Sequence, residues 1–130
     1  MPSGFYKYRA KCRRRYLKRM IAIKELDCYF YMVKLYDDKE AFIKIGITID
    51  VPQRFSDVPY NCRVLIKEQM PIDRAYDFET SMLTNLYRDG VQYKPNKSFS
   101  GCTECFKTSS VILLQKKFDK KGFVRIKQEL

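Results

Sequence analysis

Four residues with chemically active side chains stand at spacings that let neighbouring structural elements bring them together: Tyr31, Lys44, Arg54 and Glu79. A carboxylate such as that of Glu79 holds a hard cation such as Mg²⁺ through oxygen. The cation and an arginine balance the negative charge that develops on phosphate oxygens when a phosphodiester is hydrolysed. The chain contains no histidine, so Tyr31 or Lys44 would orient and deprotonate the attacking water. The set therefore predicts a phosphodiester-hydrolysis site.

A β-hairpin would position the first two of these residues. Two apolar, β-prone runs, Cys28–Tyr36 and Ala41–Thr48, flank the polar turn Asp37–Glu40, and this composition is typical of a hairpin. Side chains that lie across an antiparallel pair of strands contact one another. We therefore expect Tyr31 and Lys44 to be neighbours across the hairpin.

The second strand of this hairpin carries a lysine and a glycine that a packed sheet does not need. Because side chains alternate between the faces of a strand, Lys44 and Gly46 share a face with Phe42, and the opposite face, expected against the core, carries Ile43, Ile45 and Ile47. A glycine in a strand leaves room for a backbone or a ligand to approach closely. A phosphate-handling site would use both residues.

Two helices would position Arg54 and Glu79. Asp50 is the candidate N-cap of a short helix with Pro52 in its first turn, and Arg54 lies on that helix. Residues 72–88 predict the longest helix, and Glu79 falls within its apolar stripe, where a carboxylate is costly unless it is paired or bound to a metal. The remaining predicted elements are a third strand over Cys62–Met70, a short extended piece over Gly101–Phe106 and a last helix over Val111–Phe118.

The positive charge is concentrated in the first part of the chain. The 130 residues carry a net charge of +11. Residues 1–26 hold nine basic residues and one acid, so +8, and the other 104 residues hold 17 basic and 14 acidic residues, so +3. We therefore divide the chain into a basic arm, 1–26, with an expected helix from about Lys11 to Ile23, and a domain, 27–130. The arm is expected to contact the DNA backbone, through Arg13, Arg14, Arg15, Lys18 and Arg19.

Composition also bears on the compartment. Hydrophobic residues make up 45% of the chain, which favours a folded globular protein. No apolar run approaches the ~18 residues of a membrane span, and we expect neither a membrane partner nor a secretory signal. The five cysteines are scattered and odd in number, which favours reduced thiols in a cytoplasm. The pair Cys102 and Cys105 leaves a zinc-stabilised interaction domain as an alternative.

Several motifs follow one another in a recognisable order: YFY at Tyr29–Tyr31, KIGIT at Lys44–Thr48, Arg54, Glu79 and GCTECF at Gly101–Phe106. The ordered set resembles the GIY-YIG endonuclease superfamily, and most closely its short, largely phage-associated branch. The resemblance covers about residues 28 to 107. Outside the four candidate catalytic residues, the positions that support it are Tyr29, Gly46, Thr48 and Glu104.

The resemblance implies an α+β fold with a small three-stranded antiparallel sheet flanked by helices. It also implies single-step cleavage of DNA with one divalent cation, Mg²⁺ or Mn²⁺, held by Glu79. Tyr31 would lie at the attacking water and Arg54 would contact the scissile phosphate. Lys44 replaces the tyrosine of the second motif. A lysine at this position resembles a family variant in which it would serve as the general base. For a phage-encoded enzyme the site of action would be the host cytoplasm.

Two positions depart from the pattern of the superfamily: Tyr29 stands where the first motif has glycine, and Val58 stands where many relatives have histidine. The late asparagine of some relatives has no clear equivalent, and Asn96 is a weak candidate for it. The base is left open between Tyr31 and Lys44. Glu104 would either order the arm or contact a basic residue near the site. The departures keep a catalytically inactive DNA-binding or anti-host module as the alternative function, and the basic arm does not distinguish DNA from RNA.

Overall fold

The computed structural model of the chain describes residues 28–120, 122 and 125–129. The basic arm, its expected helix and its five expected DNA-contacting residues lie outside the described residues. Within them the strands and helices are β1 (Cys28–Tyr36), β2 (Ala41–Thr48), α1 (Val51–Arg54), β3 (Asn61–Met70), α2 (Ile72–Arg88), β4 (Cys105–Phe106), α3 (Ser110–Lys120) and β5 (Arg125–Glu129), with a 3₁₀ turn at Cys102–Glu104. No helix of this described part is both long and apolar enough to cross a membrane.

The strands form one antiparallel sheet in the order β4-β2-β1-β3-β5. This confirms the α+β class, and the three predicted strands form the centre of the sheet. The prediction of three strands was wrong, because a short strand is added at each edge. The sequence of β5, RIKQE, has a single apolar residue, so it lacks the apolar alternation that indicates a strand.

The hairpin between β1 and β2 is closed by an aspartate. The Asp37 carboxylate accepts hydrogen bonds from the backbone N–H groups of Lys39 and Glu40, each at 2.9 Å. Such side-chain bonds stabilise a turn without help from the rest of the fold. The turn sets the register of the hairpin, in which Tyr31 lies opposite Gly46 and Val33 lies opposite Lys44.

Most of the sheet is buried on both faces. One face packs against α2 and α3. Its core cluster includes Ile43 and Ile45, which are isoleucines of β2 that the alternation assigns to the core, together with Phe30, Met32, Ala75, Leu83 and Phe118. The other face carries a second cluster that includes Tyr31, Val33, Phe42, Val51, Phe55 and Tyr60. Lys44 lies on this second face and is therefore inside the protein rather than on its surface.

Candidate active site

Tyr31 and Gly46 fit together as a large and a small residue directly across the hairpin. A Cβ atom built on Gly46 would lie 2.3 Å from the Tyr31 hydroxyl oxygen and 2.6 Å from its Cζ atom. The Tyr31 ring also packs edge-on against Phe55, with 5.2 Å between ring centroids, and only 1% of the residue is exposed. The glycine therefore makes the space that the phenol occupies.

Gly46→Ala is expected to force the Tyr31 ring out of its position and to lower the free energy of unfolding by about 1–3 kcal/mol, the usual cost of overpacking a core. Urea unfolding checks this value. The matched background is Tyr31→Leu, whose shorter side chain leaves room for the new methyl group. In that background the same alanine should cost much less. Equal costs in the two backgrounds would show that the ring is not what the alanine displaces.

Lys44 is a buried lysine with one carboxylate beside it. It is 1% exposed, and its Nζ atom lies 3.7 Å from a Glu104 carboxylate oxygen and 5.8 Å from the centroid of the Tyr31 ring. Burial lowers the pKa of Lys44, and Arg54 lowers it further, while Glu104 opposes both. Glu104 thus contacts a basic residue of the site, which is one of its two expected roles, and the arm named in the other lies outside the described residues.

Arg54 is positioned by the capped helix α1. The Asp50 side chain accepts a hydrogen bond from the Gln53 N–H at 3.2 Å, and Pro52 lies in the first turn, as the sequence predicts. From the end of this helix the Arg54 Nη2 atom donates a hydrogen bond to the Ser100 carbonyl oxygen at 3.2 Å. That bond fixes the guanidinium and uses one of its five N–H donors.

The charged ends of Arg54 and Lys44 meet at Gly101. This glycine has a φ of +83°, and a Cβ atom built on it would lie 2.5 Å from Arg54 Nη2 and 2.9 Å from Lys44 Nζ. Only glycine combines that backbone conformation with such a close approach. The two basic side chains therefore converge at Gly101, with the Glu104 carboxylate beside Lys44, and Tyr31 borders the same position.

Glu79 lies among the apolar residues of α2, as its place in the stripe predicts. It is 5% exposed, and the residues buried on the same helix include Ala75, Met82 and Leu83. Its carboxylate acts electrostatically on three groups. It raises the pKa of Tyr31 and of Lys44, in each case behind stronger causes, and it adds to the burial that raises the pKa of Cys28 to about 11. Glu79 therefore belongs to the electrostatic surroundings of the site.

A segment that sequence reasoning missed covers the face carrying Lys44. The Glu40 carboxylate accepts hydrogen bonds from the Tyr60 hydroxyl at 2.7 Å, the Tyr93 hydroxyl at 2.6 Å and the Asn96 backbone N–H at 3.3 Å. These bonds fasten residues 92–101 over β2, and Phe99 packs near Phe42 with 6.3 Å between ring centroids. Ser100 and Gly101, at the end of the segment, are thereby brought to the two cations.

The positions that depart from the superfamily pattern have structural surroundings of their own. Tyr29 and Val58 are half-buried and pack against the second core cluster. The Asn96 backbone N–H donates a hydrogen bond to Glu40, which directly precedes β2. Asn96 therefore lies at the start of this strand, whereas Gly46 lies near its end. Thr48, at that other end, exchanges hydrogen bonds at 3.3 Å with the backbone of Asp50, and so joins β2 to α1.

The four described cysteines, Cys28, Cys62, Cys102 and Cys105, are free thiols. Cys105 is buried in β4 opposite Lys44, and burial is the main cause that raises its pKa to about 12. Among residues 28–120, no group of three or more His, Cys, Asp or Glu side chains is arranged to hold a metal ion. Cys102 and Cys105 therefore have no third and fourth described ligand of the kind a structural zinc site uses.

Comparisons with protein-family models, with curated proteins and with solved structures found no match. The fold brings Tyr31, Lys44 and Arg54 to one position and adds Gly101 and Glu104 to them. The Glu79 charge raises the pKa of Tyr31 and of Lys44 from α2, whose apolar residues pack on the opposite face of the sheet.

Proposed function

We propose that this protein is a metal-dependent DNA endonuclease of the GIY-YIG type. The observation that carries the proposal is the meeting of the Lys44 amino group and the Arg54 guanidinium at Gly101, beside the Tyr31 phenol. A phosphodiester in this position would have its developing negative charge balanced by Arg54. Such preorganised charges act strongly because the surrounding protein excludes water.

Lys44 is the better candidate for the base. A general base must be largely unprotonated near the working pH. Burial moves the two candidates in opposite directions, since it lowers the pKa of Lys44 and raises that of Tyr31. Lys44 therefore takes the proton of the attacking water, and Tyr31 orients that water through its hydroxyl group.

Glu79 fits the part of a single carboxylate ligand. Mg²⁺ is commonly bound through one or two carboxylates, with waters and substrate phosphate oxygens completing its shell. Such a site needs no cluster of protein ligands, and Glu79 has the required chemistry and a charge that reaches Tyr31 and Lys44. When bound, Mg²⁺ or Mn²⁺ would supply charge stabilisation at the phosphate oxygens.

Cleavage of a supercoiled plasmid tests the proposal. With Mg²⁺ the full-length protein is expected to convert the plasmid to nicked or linear forms, and with EDTA conversion should stop while a gel shift of the DNA persists. Cleavage that is unaffected by EDTA would refute the metal-dependent reading. If the plasmid is neither cut nor shifted while the protein binds RNA, the proposed partner becomes RNA.

One observation favours a second candidate, a DNA-binding or anti-host module without cleavage. Lys44 lies 3.7 Å from Glu104, and a lysine that stays charged in such a pair cannot accept a proton. Val58 adds no titratable group in place of a histidine. For this module the same plasmid would be shifted but left uncut with Mg²⁺ and with Mn²⁺ across neutral and alkaline pH.

A further inference from the structure

The face of the sheet that carries Tyr31 continues past the site into an accessible polar surface. In the register of the three central strands, Tyr31 has Gly46 on one side and Lys67 on the other. The next row towards the start of β1 is Thr48, Tyr29 and Gln69. Directly opposed residues of antiparallel strands share a face. Tyr31 and Gly46 are buried like Lys44, but the other four residues of these rows are more accessible: Lys67, Tyr29 and Thr48 are half-buried and Gln69 is exposed.

Lys67 is held in place without a charged partner. Its Nζ atom lies 4.6 Å from the centroid of the Tyr29 ring, which is cation–π distance. In the part of the chain that the structure describes, no carboxylate forms an ion pair with Lys67. The aromatic ring restricts the side chain before any ligand binds, and this reduces the entropy lost on binding. An ammonium group restrained in this way, with no carboxylate paired to it among the described residues, is available to an anion.

The spacing of the sheet suits a chain of phosphates. Neighbouring strands lie about 4.8 Å apart, so β3, which carries Lys67, runs about 10 Å from β2, which carries Lys44. One DNA strand has a phosphate for about every 3.4 Å of helix axis. A strand of DNA that crosses the sheet would therefore present phosphates both to the Lys44–Arg54 position and to Lys67.

We propose that Lys67, held by the Tyr29 ring, binds a second backbone phosphate of the DNA strand whose reacting phosphate lies at Lys44 and Arg54. The assignment rests on the proposed function for the partner, DNA, and adds a residue that fixes how the substrate lies across the sheet. Lys67 is a positioning residue, because its ammonium group contacts a phosphate other than the reacting one. The Tyr29 ring restrains that ammonium group, which gives a role to the tyrosine that stands in place of the motif glycine.

The test is the salt dependence of DNA binding, measured by fluorescence anisotropy with a short duplex in EDTA, where no cleavage is expected. Lys67→Ala should reduce the slope of log affinity against log salt concentration by about 0.9, the contribution of one phosphate contact. Lys67→Arg should restore the slope. Lys67→Met keeps most of the aliphatic stem without the charge, and it gives the same answer if the alanine variant folds poorly.

Lys34→Ala is the matched control. Lys34 is a half-buried strand lysine whose Nζ atom also lies near a tyrosine ring, 5.8 Å from the centroid of Tyr36, but it belongs to the opposite face of the sheet. The charge change is identical, so this variant should leave the slope unchanged. Equal slopes for the Lys67 and Lys34 variants would overturn the proposal.

The outcomes separate this inference from the proposed function. If the unmodified protein binds DNA and the Lys67 variants alone lose slope, the contact is supported whether or not the plasmid is cut. If the plasmid is cut with Mg²⁺ and the Lys67 slope does not change, the endonuclease stands and the role of Lys67 is wrong. If the unmodified protein does not bind DNA, both are wrong.

Discussion

Lys44→Met is expected to reduce DNA cleavage by about 10²–10⁴-fold, the usual contribution of a general base. Methionine has nearly the length of lysine and fills the same buried space, but it cannot accept a proton. Arg54 and Tyr31 keep their other contacts, so binding of DNA should change little. The measurement is the single-turnover rate of plasmid nicking, with DNA affinity determined in parallel.

The same substitution should leave the protein as stable as before or make it more stable, by up to about 2 kcal/mol. Burying an ammonium group is costly, and methionine removes that cost. The partner carboxylate of Glu104 is 30% exposed, so water can solvate it once the lysine is gone. A variant that loses activity and gains stability is the signature of a residue kept for function.

The pH dependence of stability follows from the sign of the pKa shift. Burial, more than any other cause, sets the pKa of Lys44 below its usual value of 10.5. The folded protein therefore favours the neutral lysine more than the unfolded chain does. The free-energy cost of burying the Lys44 ammonium group is present in full at pH values below the pKa that Lys44 has in the folded protein. This cost falls to zero as the pH rises towards 10.5, the pKa of lysine in the unfolded chain. The stability advantage of Lys44→Met should accordingly be largest near neutral pH and vanish in strong alkali.

Cleavage by the unmodified protein should also rise with pH and level off as Lys44 loses its proton. A methionine variant that retains this rise and its rate would show that Lys44 is not the base, and Tyr31 would become the candidate. A methionine variant that is clearly less stable at neutral pH would show that the Glu104 pair outweighs the cost of burying the ammonium group.

Local sequence patterns predict the parts of the site that depend on local rules. The period of two assigns Lys44 and Gly46 to one face of β2, and the Asp50 cap with Pro52 predicts the helix that carries Arg54. The helical period likewise assigns Glu79 to the buried stripe of α2. Each of these predictions depends on residues within one element, and each agrees with the described structure.

The parts that local patterns miss depend on contacts between distant segments. The cover over Lys44 is fastened by Glu40, 56 residues before Asn96, and the covering sequence has no period that would indicate a face. Glu104 reaches Lys44 because β4 pairs with β2, and a strand of two residues leaves almost no pattern. The contact between Glu104 and Lys44 therefore needed the fold.

Glu79→Gln is expected to lower Mg²⁺-dependent cleavage by about 10³-fold or more and to leave DNA binding intact. Glutamine keeps the size of the side chain, so the packing of α2 should survive, but the amide is a much poorer ligand for Mg²⁺ than a carboxylate. The measurements are nicking rates over a range of Mg²⁺ concentrations and direct binding of Mn²⁺ by titration calorimetry.

The electrostatic effect of this substitution cannot by itself explain a loss of activity. The Glu79 carboxylate raises the pKa of Lys44, so glutamine at this position lowers that pKa and makes the neutral base easier to form. If Glu79 only tuned the lysine, the rise of the rate with pH would move to lower pH and the maximal rate would be retained. Loss of the maximal rate at every pH is the result that a metal ligand predicts.

Glu104→Gln is the matched control, because Glu104 is the other carboxylate acting on Lys44 and has the larger effect on its pKa. Removing its charge should move the pH profile to lower pH, and more than Glu79→Gln does, with the maximal rate and the Mn²⁺ affinity preserved. If instead Glu104→Gln abolished Mn²⁺ binding and Glu79→Gln preserved it, the metal would belong to the 3₁₀ turn beside Lys44, and α2 would contribute only packing and charge.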